Sequence, residues 1–145
     1  MDKDDLLQPT LAGQERRPSN YKPWRLGSQV YVAFFGGALA VGAIGFYNSI
    51  TLGMPVRARV AIVAMALAAE AALVVLVRAT DTDEVRLVSI VAGLVAFGGA
   101  YLLQRSPDRV YHFHADDDEP YESLFGAGLI ACIVARIIEV AVIFP

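Results

Sequence analysis

The chain has 145 residues, 56% of them hydrophobic and 19% charged, with a formal net charge of -3 and a mean hydropathy of +0.49. A soluble domain is about 45–50% apolar even with glycine counted, and here the excess is gathered into four long runs parted by charged segments. That distribution excludes a soluble globular enzyme, a disordered chain, a collagen and a disulfide scaffold, and the acidic balance gives no field for nucleic acid. The single cysteine, Cys132, lies inside an apolar run and has no intrachain partner.

Residues 1–27 carry Asp2, Lys3, Asp4, Asp5, Glu15, Arg16, Arg17, Lys22 and Arg25, with Pro9, Pro18 and Pro23 as helix breakers. They predict a flexible, disordered tail, with no apolar stretch near enough to the start for a cleavable signal peptide. Residues 28–145 then predict an all-α integral membrane domain, a four-helix bundle. Its first helix runs over Val30–Leu52, 23 residues without a charge, against the roughly 20 needed to cross the hydrocarbon core. Gly53 to Arg57, with Pro55, is a tight break, and the second helix covers 58–77 with Glu70 inside it. A polar turn from Arg78 to Arg86 leads into a third helix over 87–103. An acidic outer loop over 104–123 separates it from a fourth helix over 124–144.

Four crossings put both termini on one side of the membrane. The tail and the second loop are richer in Lys and Arg than the first and third loops, so the positive-inside rule predicts cytoplasmic termini. Tyr21, Trp24 and Tyr31 then form an inner aromatic belt, and Tyr47, Tyr101, Tyr111 and Tyr121 an outer one. Glycine, alanine and serine recur at four-residue spacing (Ala38 and Gly42; Ala64, Ala68 and Ala72; Ser89 and Gly93; Ala127, Ala131 and Ala135). Such stripes allow close helix packing within one chain or between copies of a homo-oligomer.

Three charges fall well inside helices: Glu70, Arg136 and Glu139. Each costs about 2.5–3.5 kcal/mol at a helix centre, so ionisable groups at such depth are paired or functional. Glu70 and Arg136 have matched depths on parallel helices and predict an ion pair, with Glu139 as second acceptor. The pair either locks two helices or forms part of a proton or ion path. Asn48 marks the polar outer end of the first helix and suits a hydrogen bond to a neighbouring helix. In the acidic loop, His112 and His114 share one side of an extended strand and Asp116 follows, which suits a divalent metal. A run of acids there also reads as a plain solvated loop.

No HExxH, GxSxG or phosphate-cradling glycine loop occurs, so neither an enzyme nor a cofactor is expected. The segment from Trp24 to Gly53 resembles the first segment of small uncharacterised bacterial multi-pass membrane proteins. The likeness rests on Trp24, Ser28, Gln29, Phe34, Phe35, Gly36, Gly37, Leu39, Ala40, Asn48, Leu52 and Gly53, with Ala38 where that pattern has proline. It implies a bacterial inner (plasma) membrane and transfers no activity. The expected function is a non-enzymatic membrane subunit or scaffold that oligomerises or docks a membrane-protein partner. The alternative is a small channel or transporter built on Glu70, Arg136 and Glu139.

Overall fold

The computed structural model describes residues 21–80, 84–114 and 121–143. The architecture is all-α: a 3-10 turn, Leu26–Ser28, precedes α1 (Gln29–Thr51), α2 (Val56–Thr80), α3 (Val85–His114) and α4 (Phe125–Ile143). All four helices are long and apolar enough to cross a membrane, as expected of a multi-pass membrane protein. Residues 1–20 of the predicted tail lie outside the described residues. Within residues 21–27, however, Pro23, Trp24 and Leu26 are buried, so that part of the predicted tail belongs to the fold.

α1 has the length of a spanning helix but is folded back on itself. A straight helix would separate Ser28 from Asn48 by about 30 Å, and the four residues back to Trp24 can recover at most about 14 Å of that. Yet the Trp24 N–H donates to Asn48 Oδ1 at 2.8 Å, and the Trp24 ring stacks on Tyr47 with centroids 4.9 Å apart. The reversal occurs at Gly37, whose φ of 70° and ψ of -164° interrupt the helix. Only glycine adopts that region without strain. Residues 29–36 therefore enter the bundle and residues 38–51 return to the same end.

The neighbours of each arm confirm the path. The Tyr31 hydroxyl donates to the Leu124 carbonyl at the start of α4 at 2.7 Å, and Gly36 lies against Cys132 further along it. The first arm thus runs parallel to α4. On the returning arm, Gly42 faces Ala66 and Gly45 faces Ile62, antiparallel to α2. α3 supports both arms: Gly93 meets the Ala33 carbonyl and Gly37, while Ala100 and Gln104 lie beside Gly45. A Cβ on Gly93 would collide with the Ala33 carbonyl, so backbone contact between α3 and the first arm depends on glycine there. Below the hairpin tip, Leu73, Val77 and Ile143 close a small apolar floor.

Two expectations are corrected by this path. First, Trp24 pairs with Glu122 just before α4, so the described start of the chain lies at the end of the bundle opposite Ile143. The inner and outer aromatic belts merge likewise, since Trp24 and Tyr47 touch. Second, α3 continues to His114 instead of stopping at 103, and the predicted outer loop begins eleven residues later than expected. Pro107 lies inside this helix. It forfeits one backbone hydrogen bond, but Gln104, Asp108 and Tyr111 follow at helical spacing on the face turned toward the hairpin. Packing of that face outweighs the break that Ser106-Pro107-Asp108 signals in isolation.

Candidate functional site

An interrupted helix leaves orphan carbonyls on one arm and orphan N–H groups on the other, and in lipid these must be met by neighbouring protein groups. The tip of the hairpin meets them with charge. Arg136 Nε donates to the Phe35 carbonyl at 2.7 Å, next to the C-terminal end of the first arm. Arg136 Nη1 donates to Ser89 Oγ and to Glu139 Oε2, each at 2.7 Å. The Glu139 carboxylate lies at the start of the returning arm: a Cβ on Gly37 would sit 3.5 Å from its Oε2 and 3.0 Å from Ser89 Oγ. A cation therefore faces the negative end of one half-helix and an anion the positive end of the other, the favourable sense for both dipoles. Arg136 and Glu139 are three residues apart on one face of α4, which is how one helix supplies both charges.

The expected Glu70 to Arg136 pair does not form. Arg136 pairs with Glu139 instead, and Glu70 Oε1 is buried with no hydrogen-bond partner. Glu70 stays within electrostatic range of both Glu139 and Arg136. The three residues do share one neighbourhood. What overturned the pairing is the hairpin, whose tip and Ser89 occupy the guanidinium that α2 was expected to reach.

Asn48 does reach a neighbouring helix, and it does more. Its Nδ2 donates to Gln104 Oε1 at 3.0 Å, and Gln104 Nε2 donates to the Gly45 carbonyl at 2.7 Å. With the Trp24 N–H on its Oδ1, Asn48 ties together the open end of the hairpin and α3. Both amides are fully buried. Ser89 and Gln104 are the members of these two hydrogen-bond networks that sequence reasoning missed. Ser89 was counted as a small packing residue and Gln104 as the first residue of a loop; a helix carried past Pro107 would have turned Gln104 inward.

Of the proposed metal ligands, the structure describes the side chain of His112 alone. His112 and the backbone of His114 lie on α3 and not on the extended strand expected. The His112 ring stacks on Tyr121 at 5.9 Å. Asp116 and the side chain of His114 lie outside the described residues. Among the described residues no group of three His, Cys, Asp or Glu side chains gathers as a metal site requires. No known protein family, curated protein or solved structure matches this chain.

Proposed function

We propose that the chain is a non-enzymatic subunit of a bacterial inner membrane that acts by assembling with a second copy of itself through the face between α2 and α4. The observation that carries this reading is charge left partly uncovered at membrane depth. The Arg136 side chain is 30% exposed although it lies about 10 Å from the end of α4 at 1.5 Å per residue. Leu67, one turn before Glu70, and Ile133 and Val140, one turn either side of Arg136, are all exposed, so the surroundings are lipid-facing. Glu70 is part-buried and its enclosed Oε1 has no partner within the chain, so the carboxylate gains by turning toward a donor outside it, and the bonds of Arg136 use Nε and Nη1, leaving Nη2. An acceptor and a donor on one face form a self-complementary patch: Glu70 of each copy can meet Arg136 of the other about a two-fold axis. Native mass spectrometry in a mild detergent tests this. A dimer that dissociates on Glu70→Ala, with Leu67→Cys and Ile137→Cys crosslinking across copies, is the expected result; a strictly monomeric parent protein refutes it.

The orientation proposed also differs from the expectation of cytoplasmic termini. Among the described residues, Lys22, Arg25, Arg57, Arg59, Arg105 and Arg109 belong to the end where the hairpin opens, and only Arg78 and Arg86 to the other. The positive-inside rule then favours a cytoplasmic hairpin mouth and a C-terminus outside.

A second reading, a small channel or transporter, draws on Glu70 beside the interrupted helix, because discontinuous helices form ion sites in transporters. Proteoliposome flux that is present in the parent and lost in Glu70→Gln would favour it over assembly alone.

A further inference from the structure

At the mouth of the hairpin a cavity of about 540 Å³ is lined by Arg25, Leu26, Gly27, Tyr101, Asp108, His112 and Tyr121, within the roughly 300–1,000 Å³ of small-molecule sites. We propose that it binds the phosphoethanolamine group, a primary ammonium joined to a phosphodiester. The inference is independent of the assembly proposed above, which concerns the opposite part of the bundle.

Depth is the first argument. α3 has 30 residues, about 45 Å of helix against a hydrocarbon core of about 30 Å. Asp108 lies about 35 Å and His112 about 40 Å from Val85 along it, which is the headgroup level when Val85 starts at the opposite boundary. The second argument is the pair of charges. Arg25 and Asp108 face the same cavity and interact electrostatically, yet no ion pair joins them among the described residues. Asp108 accepts a hydrogen bond from Tyr121, and its Oδ1, enclosed by the protein, has no hydrogen-bond partner. The carboxylate therefore has acceptor capacity that the protein does not use and that a turn of the side chain, which lines the cavity, would present to a ligand. A cavity with one cation, one anion and spare acceptors fits a zwitterion.

The remaining walls narrow the class. Tyr101, Tyr121 and His112 present rings on which a cation can rest. A quaternary ammonium would use the rings but has no N–H for Asp108, whereas a primary ammonium brings three donors. An anionic headgroup without an amine would meet Arg25 favourably and Asp108 unfavourably. Gly27 has nothing within 4 Å of where a Cβ would stand, so the backbone leaves the phosphate an open approach to Arg25.

The test is native mass spectrometry of the full chain released from bilayers containing equal phosphatidylethanolamine, phosphatidylglycerol and phosphatidylcholine of distinguishable acyl mass. Phosphatidylethanolamine is expected as the dominant adduct. Asp108→Asn should lower its excess over phosphatidylglycerol by about tenfold, the loss expected for one charged hydrogen bond. Arg25→Gln should lower all three phospholipids. Should Asp108→Asn fail to fold, His112→Leu, an exposed position at the rim, should reduce phosphatidylethanolamine retention selectively. Displacement by water-soluble glycerophosphoethanolamine would identify a soluble ligand, and retention against it a lipid. No preference for phosphatidylethanolamine, or a preference unchanged in both folded variants, overturns the proposal.

Discussion

Substituting Gly37 by alanine has opposite consequences for a straight and a folded-back α1. In a straight helix the exchange is favourable, because alanine exceeds glycine in helix propensity by about 0.8–1.0 kcal/mol. In the hairpin Gly37 has φ 70° and ψ -164°, a region reserved for glycine, where an L side chain costs about 1–3 kcal/mol. The new methyl would also stand 3.0 Å from Ser89 Oγ. Since that hydroxyl accepts a hydrogen bond from Arg136, it cannot retreat without loosening the charge network at the tip. We expect a net destabilisation of about 2–4 kcal/mol, the backbone cost plus part of one charged hydrogen bond. Reversible unfolding of the detergent-solubilised protein in a denaturing surfactant, followed by Trp24 fluorescence, measures it. Unchanged or increased stability of Gly37→Ala would refute the reversal at this residue.

Asn48→Ala strips the partners from the Trp24 N–H and from Gln104, and Gln104→Leu strips them from Asn48 and the Gly45 carbonyl. Each should destabilise by about 1–3 kcal/mol, and the double variant by clearly less than their sum, as a double-mutant cycle in the same unfolding assay would establish. Arg136→Met leaves Glu139 buried and unpaired and should cost about 3–5 kcal/mol, while adding Glu139→Gln should recover part of that loss in the same measurement. The Tyr121 phenol is pushed up from 10.0 to about 12 by burial and then by the neighbouring Asp108 carboxylate, which also accepts its hydrogen bond. Because the folded protein holds that proton more tightly, the resulting stability is complete below pH 10 and lost as pH rises toward 12. Difference absorbance titration of the parent against Tyr121→Phe should find phenolate forming near pH 12, and Asp108→Asn should bring it down.

The membrane class and the existence of four apolar helices were legible from charge-free run length, because the bilayer imposes length and hydropathy locally. The same criterion could not tell a crossing from a return. Two half-helices joined at Gly37 have the length and composition of one span, and the Gly36-Gly37 pair reads equally well as a packing surface. The reversal is enforced only by partners distant in sequence, above all Asn48, Gln104 and Arg136. Conversely, Ser106-Pro107-Asp108 carried a strong local stop signal that tertiary packing overrode. The three charges inside the helices stand out in the sequence, since burial of charge demands an explanation wherever it occurs. Their pairing was misassigned because the competing acceptors, Ser89 Oγ and the Phe35 carbonyl, become available only in the folded-back path.

The fold-back of α1 is the feature from which the charge network and the exposed α2 and α4 face follow, and on which the proposed orientation rests. It is tested most directly by the distance between spin labels at Gly27→Cys and Ile50→Cys in a Cys132→Ala background, measured by pulsed electron spin resonance in a bilayer. Both positions are exposed, and Gly27 has open space where the label attaches. The hairpin predicts backbone separations below about 20 Å, because Trp24 and Asn48 are in contact only a few residues away. A separation of about 35 Å, the span of 23 residues in an unbroken helix, would contradict it.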